Sequence, residues 1–323
     1  MIRAAALAAA TCLAVAPLAA RADDEARAWV ERMTRQLAEA SYVGEFEVQS
    51  GGRTEQLRVV HRVRDGRVHE RLVLLGGAGR EVVRDGDEVI AYLPDQKLAI
   101  IEHRPERGGL FGRMPSFGPE VERWYDVVLE GRATALNGRR AVQVAIKPRD
   151  GYRFGHRLWI DETTGMPVKS ELQGPDGRAL ERMRFTRLEL RDDIADVELD
   201  PGFDRREFRW VRQLAQPAGQ GADWSVPSPP PGFRLSASAI QDMVGSPAPV
   251  NHLVYSDGLA SVSLFIRAAA PGERPAVGAG RAGSATALST VVNGYQVTAI
   301  GEVPSGTLEA LAKGLQRAPG AQR

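Results

Sequence analysis

The sequence contains one cysteine, Cys12, which lies in an apolar leader rather than in the body of the chain. A single arginine precedes a run of Ala, Leu and Val that extends to Ala20, and Ala20-Arg21-Ala22 has the A-x-A pattern of a signal-peptidase site. Residues 1–22 are therefore predicted to be a secretory signal peptide, with an uncleaved membrane anchor as the alternative. After cleavage the chain would contain no cysteine, which excludes disulfides, a thiolate nucleophile and cysteine-ligated metals.

An excess of charge of one sign is also missing. Without the predicted leader the chain has 40 basic and 41 acidic residues, a formal charge of −1, so no electrostatic field favours nucleic acid. No second apolar run approaches the length of a membrane span, which predicts a soluble exported chain. Lysine is scarce, and the 42 basic residues of the whole chain include only Lys97, Lys147, Lys169 and Lys313.

Patterns typical of catalysis or metal binding are absent. A G-x-S-x-G motif is missing, and the G-x-G-x-x-G match at 278–283 follows a Pro-Gly-rich loop instead of linking a strand to a helix. The histidines show no ligand spacing, and we expect them on strand surfaces, with His61 and His69 paired across the Asp65-Gly66 hairpin. The sequence therefore predicts no enzyme, no metal site and no cofactor.

Turn residues divide the first two thirds of the chain into short strand-like segments. Pairs such as Asp65-Gly66 and Asp176-Gly177 supply the positive φ of tight hairpins. Acids such as Glu70 and Glu81 alternate with arginines, which predicts cross-strand ion pairs. The predicted strands are 42–49, 55–64, 67–75, 80–84, 88–93, 97–103, 125–130, 141–147, 156–161, 167–172 and 178–190.

An amphipathic helix is predicted over 24–40, because apolar residues recur there every three or four positions. Its apolar stripe needs a surface to cover, and a sheet of about eleven strands curves instead of staying flat. The predicted fold is mainly β with a few helices (α+β). It consists of a large unclosed antiparallel β-barrel domain covered by helices, and a small antiparallel C-terminal domain.

A change in composition predicts the domain boundary. Residues 213–232 are rich in Pro, Gly and Gln and indicate a linker between a domain over 23–212 and one over 233–323. In the second domain we expect strands near 233–236, 252–255, 259–267, 289–292 and 295–303. A helix over 305–315 with Ser305 as its cap should follow, and 268–287 is predicted to be a mobile loop.

Two segments are candidates for binding. The interruption at 104–120 is long for a hairpin loop and is either a binding loop or a loop packed on the core. The segment HLVYSDGLASVSLFI, residues 252–266, contains Ser, His and Asp, but Ser256-Asp257-Gly258 is turn chemistry and no catalytic triad is predicted. In its second arm, Val262 and its alternate neighbours should face the core. The opposite face should contact either a partner or the protein's own helix.

Several segments together resemble one family. They are VVHRVRDGRVHERLVLLGGAGREVVRDGDEVIAYLPD (59–95), HRLWIDETTGMPVKSEL (156–172), PPGFRL (230–235), HLVYSDGLASVSLFI (252–266) and NGYQVTAIGEVP (293–304). Their order and content are similar to the MucB/RseB family of periplasmic sigma-E regulatory proteins. The resemblance implies an N-terminal domain similar to the periplasmic lipoprotein carriers, and a smaller C-terminal domain that contacts a membrane anti-sigma factor.

The resemblance also implies a function in the periplasm. Such a protein binds the periplasmic domain of the anti-sigma factor, shields it from regulatory proteolysis, and is released by lipopolysaccharide or lipoprotein acyl chains. A lipid or lipoprotein carrier without a regulatory partner is the alternative, a secreted hydrolase is a weaker one, and a homo-oligomer is left open. The residues expected to bind the partner are Tyr255, Leu259, Ser261, Ser263 and Phe265. Those expected to line a lipid site are Leu72, Leu74, Tyr92, Phe111 and Phe117.

Overall fold

The computed structural model describes residues 17–77, 79–103, 121–134, 138–213, 216–217, 223–241, 248–269 and 272–317. Cys12, Phe111 and Phe117 lie outside these residues, as does all of the predicted loop 104–120. The helices are α1 (Pro17–Glu39), α2 (Asp196–Leu199) and α3 (Ser305–Lys313). Where the described chain includes them, the elements assemble into one large and one smaller sheet domain.

The N-terminal domain is a twelve-stranded sheet in the described residues, in the order β12-β6-β5-β4-β3-β2-β1-β11-β10-β9-β8-β7. Its strands are β1 (Tyr42–Ser50), β2 (Arg53–Arg64), β3 (Arg67–Leu75), β4 (Glu81–Asp85), β5 (Glu88–Leu93), β6 (Leu98–His103), β7 (Tyr125–Thr134), β8 (Arg140–Pro148), β9 (Gly155–Asp161), β10 (Pro167–Gln173), β11 (Ala179–Leu190) and β12 (Arg209–Gln213). Neighbours are antiparallel except β12 and β6, which pair in parallel. The edge strands β12 and β7 do not meet, so the predicted unclosed antiparallel architecture is confirmed.

Helix α1 covers the β7 to β9 part of one face of this sheet, which we call the inner face. Ala26, Val30 and Met33 are fully buried against strand residues including Val144 and Leu158. Burial of each large aliphatic side chain contributes about 1.5–3 kcal/mol, so this packing fixes the helix on the sheet. The prediction of an amphipathic helix over the concave sheet is confirmed.

The C-terminal domain is a seven-stranded sheet in the described residues, in the order β13-β15-β16-β17-β20-β19-β18, with a short β14–β21 pair. Its strands are β13 (Gln216–Pro217), β14 (Trp224–Ser225), β15 (Arg234–Gln241), β16 (Val250–Ser256), β17 (Ser261–Ala268), β18 (Gly278–Ala282), β19 (Ala285–Val292), β20 (Tyr295–Gly301) and β21 (Gln316–Arg317). Val262, Leu264 and Ile266 pack with Leu308 and Leu311 of α3, so the predicted core face of the hairpin is confirmed.

Two predictions for this domain were wrong. The segment predicted as a mobile loop contains strand β18 and the start of β19, because backbone pairing from Gly278 to Ser289 gives the Gly-rich run a regular ladder. Ser305 does not cap α3: Pro304 occupies the N-cap position, and no side chain caps the helix there. Trp224 and Val226, within the predicted linker, are buried in the C-terminal core.

The prediction for the histidines of the second hairpin was also wrong. The two-residue turn pairs His61 with Glu70 and Arg62 with His69, so the two histidines point to opposite faces of the sheet. His61 is fully buried on the inner face, where its Nδ1 lies 2.6 Å from a Glu70 carboxylate oxygen and its ring stacks on Tyr42. The predicted cross-strand ion pairs are present, for example between Arg71 and Glu81 at 2.9 Å.

Candidate ligand cavity between the domains

A cavity of about 1470 Å³ lies between the inner face of the large sheet and the C-terminal domain. Ligand pockets for small molecules are commonly 300–1,000 Å³, so this space suits a larger or elongated ligand. Its apolar wall in the large sheet includes Phe46, Val48, Leu57, Leu72, Val82, Val89, Ala91, Ile100, Leu172, Ala179, Leu180 and Met183. Because side chains alternate between the two faces of a strand, one face of β1 to β6 and of β10 to β11 supplies this wall.

The structure separates the residues predicted to line a lipid site. Leu72 lies on the cavity wall. Leu74 is on the same sheet face, opposite Leu57, but is not among the lining residues. Tyr92 is on the outer face, where its ring lies 5.3 Å from that of Phe208, so its assignment to the cavity was wrong. Residues on β5 alternate, so Val89 and Ala91 face the cavity instead.

The partner residues predicted on the hairpin are also divided between two faces. Leu259, Ser261 and Ser263 line the same cavity, from the side of the C-terminal domain. Phe265 shares their face and stacks on His252, with the ring centres 4.4 Å apart. Tyr255 lies on the opposite face, is 2% exposed, and its hydroxyl accepts a hydrogen bond from the Val226 backbone. In this structure Tyr255 supports the core and is not available to a partner.

A buried polar cluster, which we call the Arg153–Asp257 seam, joins the two domains beside the cavity. Asp257 is in the hairpin turn of the C-terminal domain, and its Oδ2 accepts hydrogen bonds from Arg153 at 2.8 Å and from the Tyr125 hydroxyl at 3.0 Å. Its Oδ1 accepts from the backbone of Leu259 and Ala260, which fixes the turn. Both charged side chains are completely buried; Arg153 also pairs with Asp150, whereas the Asp257 carboxylate depends on Arg153 for its compensating charge.

Aromatic rings enclose the Arg153 guanidinium on several sides. Its central carbon lies 5.1 Å from the centre of the Trp124 ring and 5.2 Å from that of the Phe233 ring. The guanidinium Nη2 donates a hydrogen bond to the Pro231 carbonyl oxygen at 2.6 Å. Burial, followed by the nearby Asp257 carboxylate, raises the pKa of Tyr125, which keeps that hydroxyl a hydrogen-bond donor. Sequence reasoning missed this seam, because its only local signal was an Asp in a turn.

Gly232 provides a test of how tightly this seam is packed. It has a φ of +85°, and an added β-carbon would lie 2.6 Å from Trp124 ring atoms. Gly177 has a similar φ of +75° with nothing within 4 Å, so it is the matched control. Gly232→Ala is expected to cost about 1–2 kcal/mol more of unfolding free energy than Gly177→Ala, because only the first adds a steric conflict. Equal losses in urea unfolding would show that the seam is loosely packed.

His156 lines the cavity, and its protonation makes the stability of the fold depend on pH. Burial lowers its pKa to about 4, against the opposing effect of the Glu302 and Asp257 carboxylates. The side chain is therefore neutral near pH 7, and protonation opposes the folded state. Burial likewise lowers the pKa of His252, with Glu102 opposing the shift.

The stability contributed by neutral His156 is complete above the ordinary histidine pKa of about 6.5 and is lost as the pH falls towards 4. Wild-type protein should therefore lose about 1–2 kcal/mol more stability between pH 7 and 4.5 than a His156→Gln variant does. Urea unfolding of both proteins at the two pH values measures this difference. An identical loss in both would show that His156 does not titrate with folding.

The described residues hold no group of three or more His, Cys, Asp or Glu side chains arranged to bind a metal ion. Among the helices of the described chain, none is long and apolar enough to cross a membrane.

Comparison with known proteins identifies the family. A family model for the MucB/RseB N-terminal domain matches residues 25–203, and one for the MucB/RseB C-terminal domain matches residues 218–316. The sigma factor AlgU regulatory protein MucB of Pseudomonas aeruginosa is 35% identical over 310 residues, or 93% of both chains. The sigma-E factor regulatory protein RseB of Salmonella typhimurium is 26% identical, with 92% of both chains covered.

Solved structures are similar to this chain over both of its domains. A crystal structure of MucB in complex with MucA(peri) has a TM-score of 0.72 and 30% identity, and the match covers 91% of this chain and 100% of that one. These relatives are named as regulatory proteins. Because the two family models span both domains, the resemblance seen in the sequence is confirmed, and the chain belongs to the MucB/RseB family.

Proposed function

We propose that this chain is a periplasmic negative regulator of a sigma-E-type envelope stress response. It binds the periplasmic domain of a membrane anti-sigma factor and shields that domain from regulatory proteolysis. A lipid-type signal, lipopolysaccharide or lipoprotein acyl chains, releases it. The predicted signal peptide and the family's sigma factor regulators support the compartment and the pathway, and the complex of MucB with MucA(peri) supports the partner.

The observation that carries the lipid part of the proposal is the position of the cavity. Leu72 from the proposed lipid wall and Ser263 from the proposed partner face line the same space. A lipid chain in this cavity would contact the residues that we assign to the partner. Occupation by one would therefore disfavour the other, and this competition is a physical route from the lipid signal to release.

Release requires a difference in affinity between two states. A ligand shifts the equilibrium only as far as it prefers the partner-free protein, and by reciprocity the partner must weaken lipid binding by the same factor. A carrier without a regulatory partner remains the alternative function. The C-terminal domain argues against it, because a carrier needs only an apolar cavity within the large sheet.

Phe265 is the most direct test of the partner surface. Phe265→Ala should weaken binding of the anti-sigma factor's periplasmic segment about fivefold, because the variant removes an aromatic contact worth about 1 kcal/mol. Val197→Ala removes an exposed apolar side chain from α2 in the other domain and should leave the affinity unchanged. Calorimetric titration measures both affinities. Wild-type affinity in Phe265→Ala would remove this residue from the proposed partner site.

Protection from proteolysis is tested separately. The anti-sigma segment should be cleaved more slowly by its regulatory protease when the wild-type chain is present, and Phe265→Ala should protect it less at concentrations near the dissociation constant. Cleavage at the same rate with and without saturating chain would refute the shielding role while leaving the binding role intact.

A further inference from the structure

Among the residues that the structure describes, the two domains meet at two seams that differ in construction. One is the Arg153–Asp257 seam, next to Tyr125 at the start of β7. The other lies at the tips of the β1–β2 and β18–β19 hairpins, and we call it the hairpin-tip seam. Tyr125 and Ser50 are on strands that are five positions apart in the sheet, roughly 24 Å at normal strand spacing. The C-terminal domain therefore spans one rim of the large sheet, with a contact at each end.

The Arg153–Asp257 seam has the properties of a fixed joint. Its ion pair is fully buried, and apolar contacts add to it, since Leu259 from the C-terminal domain packs against the core formed by α1 and β7 to β9. Close by, the Thr307 hydroxyl of α3 donates a hydrogen bond to the Tyr152 carbonyl oxygen at 2.6 Å. Separation here would expose buried charges and apolar surface together, which makes it the costly end to open.

The hairpin-tip seam has different contacts. Gly51 and Gly283 are exposed, and a β-carbon added to Gly51 would lie 3.3 Å from the Gly283 α-carbon, so two glycine backbones touch there. The Ser284 hydroxyl lies 2.6 Å from a carboxylate oxygen of Glu181 across the seam, and 2.7 Å from one of Glu302 in its own domain. The contacts given there join glycine backbones and polar side chains, so the tips should separate at a lower cost than the other seam.

Most of the exposed residues that line the cavity belong to this second seam. Arg53, Gly51 and Gly283 are exposed there, whereas Val89 and Met183 on the wall of the large sheet are buried; Ser261 and Ile300 of the C-terminal sheet also line the cavity and are exposed. A ligand that enters between the tips could therefore contact the apolar wall directly.

We propose that the hairpin tips are the gate of the cavity, and that the C-terminal domain turns about the Arg153–Asp257 seam to admit an apolar ligand. This inference rests on the proposed lipid-binding function and adds the route and the hinge. The tips part and the β7 end stays joined. The gate brings the ligand to Ser261 and Ser263, which lie between the two seams.

A disulfide across the tips tests the gate. A β-carbon at Gly283 would lie 3.6 Å from the Ser50 β-carbon, within the range of disulfide geometry. The chain after residue 22 has no cysteine, so Ser50→Cys/Gly283→Cys would form one defined bond. Stopped-flow fluorescence with N-phenyl-1-naphthylamine as the probe should show association at least about tenfold slower in the oxidised form than in the reduced form of the same protein.

A second variant opens the gate instead of closing it. Gly283→Cys alone, labelled with a bulky maleimide, should hold the tips apart and speed association of the same probe relative to the unlabelled variant. Equal rates in oxidised and reduced double variant, or failure of the two cysteines to join under oxidation, would overturn the gate. Absence of probe binding by the wild-type chain would overturn the lipid proposal as well, so the two failures are distinguishable.

Discussion

Arg153→Ala is expected to lower the free energy of unfolding by about 3–5 kcal/mol, the usual cost of leaving one member of a buried ion pair without its partner. Asp257 is completely buried in the turn between β16 and β17, so its charge would lose the guanidinium while still shielded from water. The Tyr125 hydroxyl donates to the same carboxylate oxygen but carries no charge and cannot replace the arginine. Chemical denaturation of the two proteins gives the difference directly.

Arg149→Ala is the matched control. Arg149 is four residues away and pairs with Asp126 at 2.7 Å, but both side chains are about half exposed. Exposed pairs contribute roughly 0–1 kcal/mol, so this variant should be close to wild type. A second expected feature of Arg153→Ala is uncoupling of the domains, with two unfolding transitions in calorimetry, whereas one transition is expected for the wild type. Equal small losses for the two variants would contradict the role of this seam as a fixed joint.

Ser170→Trp is expected to weaken acyl-chain binding about thirtyfold without loss of the fold. Ser170 is half-buried on the cavity wall, paired with Leu158 and Met183 on the adjacent strands. An indole at this position would displace two or three methylene groups of a bound chain from the wall, each worth about 0.8 kcal/mol when buried, so roughly 2 kcal/mol of binding free energy is lost. Titration with a dansylated long-chain fatty acid measures the affinity.

Ser228→Trp is the corresponding control, because Ser228 is exposed and does not line the cavity. We also expect Ser170→Trp to make binding of the anti-sigma segment less sensitive to lipid, because the lipid must enter the cavity to compete. Unchanged fatty acid affinity in Ser170→Trp, with the fold intact by circular dichroism, would place the lipid site elsewhere.

Much of the fold follows from local sequence. The bounds of β3 and β5 coincide with the predicted segments, because a Gly-containing turn adjoins each of them and alternating residues fill them. Strand β12 escaped prediction for a physical reason: its stability comes from parallel pairing with β6, more than a hundred residues earlier in the chain. Neither its length nor its composition marks it as part of the large sheet.

The candidate site was less predictable than the fold. Tyr255 could have been placed correctly, because it pairs with Val262 across the hairpin and paired residues share a face. Tyr92 could not, since β5 is apolar on both faces and only the later segment around Phe208 covers its outer side. The Arg153–Asp257 seam joins residues 104 positions apart, and no local pattern reports such a contact.

Competition between the partner and lipid for this protein can be tested in a single titration. Residues 23–323 would be titrated by calorimetry with the periplasmic segment of the same organism's anti-sigma factor, with and without lipopolysaccharide. We expect tight binding that weakens as lipopolysaccharide is added, with a matching loss of lipid affinity when the segment is present. Binding of the segment at the same affinity whether or not the chain is saturated with lipid would contradict it.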